Sequence, residues 1–251
     1  MSEYQYYEFR AIDRPLGAAE QRALGQLSSR AAITSTSFVN TYNWGDFKGD
    51  PDRLIERYFD LLLYLANWGT RCFSLRLPAR LVDAGESIPT FAKLKSAGIR
   101  RKGEHIIVDI RRDEVDAEDW RDSEEWLEAL APLRAAALDD DPSLFYLAWL
   151  LAVDGSEVPD DALEPPIGLA PLSPALEAFA DFFAIDPNLV AAAAGTRAVG
   201  GKTTSMVSAE SYIRALDEGE KACLLRRLHD CDDPHLGAEL RRRVRAAGAP
   251  A

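Results

Sequence analysis

One break in the residue pattern constrains this chain more than any other feature. Up to Arg112, β-branched and aromatic residues alternate in short runs; beyond it the alternation disappears and helix-start signals take over. Four helices are announced by the same kind of pair, at Asp141-Pro142, Ser173-Pro174, Asp186-Pro187 and Asp233-Pro234. The Asp or Ser side chain accepts from backbone N–H groups that lack partners in a first turn, and proline has no N–H to lose there. Apolar spacing predicts helices over 123–138, 142–153, 174–185, 187–194, 208–216, 218–229 and 234–245, with a proline-rich connection at 154–172. The chain therefore reads as α+β: a sheet domain over 1–112 and an all-α region over 113–251.

The first part predicts a small mixed or antiparallel sheet carrying two helices, and its element order suggests a ferredoxin-like topology. Tyr7, Phe9 and Ala11 share one face of the first strand, and a helix over 17–29 brings Leu24 and Leu27 together. Residues 33–44 form one long strand or two short ones broken at 35–37. Asp50-Pro51 opens the most strongly marked helix. Leu54, Ile55, Tyr58, Phe59, Leu61, Leu62 and Leu65 would clothe nearly its whole circumference, which predicts a core helix ending at Gly69. Phe73, Leu75 and Leu77 then alternate with polar residues, and 99–112 reads as a hairpin turning at Lys102-Gly103.

Charge is distributed unevenly. The formal net charge is −12, and residues 113–141 hold twelve Asp or Glu against two Arg. An acidic middle repels nucleic-acid and lipid phosphates, so the expected partner is another protein with a basic surface, with neither nucleic acid nor membrane. Cys72, Cys223 and Cys231 are odd in number and irregular in spacing, which fits a reducing compartment. The start Met1-Ser2-Glu3-Tyr4 lacks a basic segment followed by an apolar run, and the apolar runs 61–66 and 144–153 fall well short of the ~20 residues of a membrane span. A cytoplasmic protein is expected.

Few motifs point to chemistry. The string from Gly195 to Thr204 has Thr at 196 where a phosphate-binding loop needs glycine, so no cofactor is expected there. Cys223, His229, Cys231 and His235 are zinc-competent side chains, but their C-x5-H-x-C-x3-H spacing matches no common knuckle. His105 and Asp109 fall on one side of a strand and form a candidate acid–base pair. No serine is framed by nucleophile-elbow glycines. Two basic patches stand out, Lys93, Lys95, Arg100, Arg101 and Lys102 with Arg111 and Arg112, and Arg226–Arg245, the second interleaved with Asp230, Asp232, Asp233 and Glu239. Trp44, Asp46, Phe47 and Lys48 lie in a glycine-bounded loop, and exposed aromatics in such loops anchor partners. Pro165 and Pro166 make a second, stiff contact segment.

The strings YQYYEFRAIDRPL (4–16), SFVNTYNWGDFKGD (37–50) and EPPIGLAPLSPAL (164–176) resemble those of a family of uncharacterised bacterial proteins. The resemblance implies a bacterial cytoplasmic setting and supplies no catalytic residues. Together these features predict a non-catalytic interaction or regulatory module. The alternatives are an enzyme with a non-standard site, at His105 and Asp109 or at the Cys/His cluster, and a nucleic-acid-binding accessory protein using the arginine patches.

Overall fold

A computed structural model describes residues 4–45, 47–82, 94–115, 123–159, 172–195, 208–230 and 233–248. Its centre is one antiparallel sheet of seven strands: β1 (Gln5–Arg10), β2 (Ala32–Ile33), β3 (Ser37–Tyr42), β4 (Leu61–Ala66), β5 (Arg71–Pro78), β6 (Ala97–Lys102) and β7 (His105–Arg112), in the order β2-β3-β1-β4-β5-β7-β6. The sheet is broader than the sequence suggested. Every pairing is antiparallel, whereas a ferredoxin-like split βαβ would need parallel neighbours, and that topology is not formed.

The main correction concerns residues 51–69. Helix α2 (Pro51–Arg57) starts as expected, with Asp50 Oδ1 accepting from the backbone N–H groups of Asp52 and Arg53 at 3.0 and 3.3 Å. It then stops, and 61–66 become a strand at the middle of the sheet, between β1 and β5. A run apolar on every side satisfies a buried helix and a strand covered on both faces equally well. The alternation decides it: Leu61, Leu63 and Leu65 enter one core and Leu62 the other. Gly69 sits in the β4–β5 turn at φ +89°, where a Cβ would meet the Val115 carbonyl oxygen at 2.5 Å, so the position admits no side chain.

Two cores result, one per face. On the first face α1 (Ala18–Gly25) and α2 bring Leu24, Leu54 and Ile55 against Phe9, Phe38, Leu62 and Ile107. On the second lie α3 (Ala79–Val82), α4 (Ser123–Leu130), α5 (Pro132–Leu138), α6 (Ser143–Asp154), α7 (Pro174–Phe182) and α8 (Pro187–Gly195). Leu127, Leu133, Leu147 and Phe179 there share one apolar cluster with Leu63, Phe73, Leu75 and Val108 of the sheet. Asp141, Ser173 and Asp186 each accept a first-turn backbone N–H, as the sequence predicts; Asp233 accepts the His235 N–H, but the helix expected from 234 opens only at Leu236.

Two arginines tie the layers together. Arg71 and Arg112 are register partners on β5 and β7. Arg71 donates to the Phe182 carbonyl, and Arg112 to those of Phe183 and Ala184 at 2.9 and 3.0 Å. Cations thus satisfy the carbonyls that the end of α7 leaves open.

The last unit, α9 (Ala209–Ala215), α10 (Glu218–His229) and α11 (Leu236–Ala247), is attached differently. Neither α9 nor α10 contributes a buried residue, and α11 buries only Leu236 and Ala238. Ion pairs hold it instead: Arg80 with Asp233 and Glu239 at 2.7 and 2.6 Å, Arg241 with Asp139 at 2.7 Å, and Arg242 with Asp140 at 3.6 Å. Part of the acidic segment is thereby matched by the basic C-terminal helix of the same chain. No helix among the described residues is long and apolar enough to cross a membrane.

Candidate functional site

At the end of the sheet where β1 and β5 finish and β7 begins, a cleft of about 720 Å³ opens between the two helical layers. Five arginines, two histidines and three carboxylates line it. The strands supply Arg76, Arg101 and His105, the segment after β1 supplies Asp13 and Arg14, the C-terminal end of α2 supplies Glu56 and Arg57, and Pro234 and His235 close one side just ahead of α11. Serine, threonine, cysteine, lysine and tyrosine are missing from the described lining.

Below the lining lies a charged floor centred on Asp60, which is 1% exposed. Its Oδ2 accepts the backbone N–H groups of Ile12 and Asp13 at 2.6 and 2.9 Å. Its Oδ1 accepts from Arg76 Nη2 and Nε at 2.8 and 3.2 Å. Arg134, buried on α5, grips the Asp13 carboxylate with both Nη groups at 2.8 Å and donates Nε to the Arg76 carbonyl at 2.9 Å. A charge held out of water is tolerable only when paired and fully hydrogen-bonded, and this network meets that condition.

His235 completes it, with Nε2 2.9 Å from Asp13 Oδ2. Burial pushes the Asp13 carboxyl upward, but the hydrogen bonds from His235 and Arg134 and their charge outweigh it and hold the group well below the usual carboxylate range. Asp13 is therefore an acceptor, which makes His235 Nε2 a donor. His105, across the cleft, has its pKa lowered, chiefly by burial and next by the charge of Arg76, with Asp13 and Asp60 opposing. Its imidazole is neutral at neutral pH.

The residues singled out by sequence are distributed unevenly around this geometry. His105 lines the cleft, but Asp109 does not; its carboxylate is engaged by Arg100 Nε at 2.8 Å. The strand puts both on one side, yet three residues of strand separate them. Of the zinc-competent set, Cys223 and His229 are exposed, His235 is buried against Asp13, and Cys231 lies outside the described residues. Among the described residues no three His, Cys, Asp or Glu are grouped to hold a metal ion.

Trp44 is 78% exposed, and Lys48 is exposed, whereas Phe47 packs on Tyr7 and Phe38 at ring-centroid distances of 5.1 and 5.9 Å. The aromatic loop is thus half plug and half free surface. Asp46, Pro165 and Pro166 lie outside the described residues.

The basic patches are largely matched internally. Arg100 pairs with Asp52, Glu56 and Asp109, Lys102 with Glu56, and Arg111 with Asp113. Arg227 and Arg243 pair with Glu239. This leaves little sustained positive surface for a phosphate backbone.

Sequence reasoning passed over Asp13, Asp60, Arg76 and Arg134. The one available signal was a lone charge inside an apolar run, as Asp60 is between Phe59 and Leu61. Comparison of the chain with family models, with curated proteins and with solved structures returned no match.

Proposed function

We propose that the protein is a non-catalytic cytoplasmic binding module whose working surface is the cleft above Asp60. The observation that carries this is preorganisation. Arg76 and Arg134 are locked by carboxylates and backbone groups beneath the cleft, so ligand-facing atoms are placed before any ligand arrives. A described lining without hydroxyl, thiol or amine nucleophiles supports binding over covalent chemistry. The exposed Trp44 loop stays the candidate for a second contact, with a protein partner.

The test is equilibrium dialysis of the native chain against a defined mixture of anionic, neutral and cationic small metabolites, with retained compounds identified by mass spectrometry. Retention that vanishes in His105→Trp, a variant that fills the cleft, supports the reading. Equal retention by wild type and variant, or none by either, counts against it.

A second reading has one specific observation behind it. A histidine hydrogen-bonded to a carboxylate at 2.9 Å beside a cleft is the arrangement of an oriented general base. Conversion of a retained compound to product, abolished by His235→Gln, would favour the enzyme reading.

A further inference from the structure

We propose that the start of α11, with Pro234 and His235, is a gate on the cleft: when its ion pairs to Arg80 open, His235 leaves Asp13 and the Asp13–Arg134 pair faces the cleft. This rests on the reading of the cleft as the working surface, although the movement itself is measured without a ligand. Pro234 and His235 form one wall of the cleft, and they lead into the unit that apolar packing holds least. At this end of α11 only Leu236 and Ala238 add buried apolar surface. Polar contacts hold the wall to the body. Arg80 reaches Glu239 with Nη1 at 2.6 Å and Asp233 with Nη2 at 2.7 Å, and His235 Nε2 meets Asp13 at 2.9 Å.

The wall is releasable because each side keeps partners when the two separate. Asp233 and Glu239 are also paired with Arg227 of α10, and Glu239 with Arg243 of α11, so both carboxylates stay matched inside the unit. On the body, Asp13 keeps both Nη groups of Arg134 at 2.8 Å. The Arg80 side chain is 44% exposed, so it is already largely hydrated before it lets go. Opening therefore strands no buried charge, and a stranded charge is what makes most buried pairs costly to break. A second attachment, Arg241 to Asp139 at 2.7 Å with Arg242 to Asp140 at 3.6 Å, tethers α11 to the body while its start swings free. His235 exchanges Asp13 for water.

The experiment uses the full chain carrying Cys223→Ser and Cys231→Ser, with nitroxide spin labels on Arg57→Cys and Pro234→Cys, two exposed positions of the lining. The Cys72 thiol, held unreactive by burial, stays unlabelled. Pulsed dipolar spectroscopy reads the separation of the labels. Two populations are expected, a shorter one with the gate closed and a longer one with it open. Raising sodium chloride from about 0.1 to about 1 M, which cuts the screening length from about 10 to about 3 Å, should enlarge the longer population. Arg80→Ala should enlarge it about fivefold, the weight of one part-exposed ion pair. Arg214→Ala, which breaks an exposed pair within α9, should change neither. A single separation that salt and Arg80→Ala both leave unmoved overturns the gate, as does a longer population raised equally by Arg214→Ala. Two populations in a chain whose cleft retains no compound in dialysis leave the gate standing and remove the cleft as the working surface.

Discussion

Asp60→Ala removes the group on which the cleft floor is built. Asp60 Oδ1 serves two Arg76 N–H groups and Oδ2 serves two backbone N–H groups, all away from solvent. Breaking one partner out of a buried ion pair costs about 3–5 kcal/mol, because the remaining charge stays buried and unmatched. Each backbone donor left unpaired costs about 1–3 kcal/mol, although local relaxation and water entry make the two penalties overlap. A combined loss of about 4 kcal/mol or more is expected, against a total of about 5–15 kcal/mol for a typical domain. Asp60→Asn keeps an acceptor for the backbone and loses the ion pair, and should fall between alanine and wild type.

Urea unfolding followed by tryptophan fluorescence reads the change from the midpoint shift at constant slope. Glu210→Gln serves as the reference, since its pair with Arg214 is exposed and is worth about 1 kcal/mol at most. A double-mutant cycle with Arg76→Met should show the two losses to be far from additive. A loss under about 1 kcal/mol for Asp60→Ala would refute the view of this network as a fixed scaffold.

Other outcomes follow from the same geometry. Burial pushes the Cys72 thiol up to about 12, while Cys223 is exposed, so peptide mapping after brief alkylation of the native protein should find Cys223 modified and Cys72 spared; equal labelling would refute the burial. Arg80→Ala should speed amide exchange in 236–247 while global stability falls by about 1 kcal/mol or less, because Arg80 is partly exposed and Arg227 still holds Asp233 and Glu239. Added salt should mimic that effect; exchange unchanged in both cases would mean that apolar contacts hold α11.

Much of the fold was legible from local signals. The capped helix starts at 141, 173 and 186 and the hairpin at Gly103 each depend on a few adjacent residues, and each formed where the sequence placed it, while the helix expected from 234 opens at Leu236. The run 61–66 was misread because an apolar segment carries no period of its own, and only the neighbours β1 and β5 made it a strand. The cleft was less legible still. Asp13 meets Arg134 across 121 residues and His235 across 222, and no spacing rule reports a contact of that range. Of its histidines, His105 was picked out beforehand with Asp109, which the structure gives to Arg100, and His235 as a zinc candidate, which the structure sets against Asp13.

The most direct measurement is the proton titration of His105 by NMR, tractable because the chain has three histidines. His105 should titrate below the ordinary 6.5, since burial and the charge of Arg76 disfavour its charged form. In the folded chain it then binds fewer protons than when unfolded, so this group costs stability as pH falls below 6.5 and nothing above it. A midpoint at or above 6.5 would contradict a half-buried His105 held beside Arg76 in the cleft.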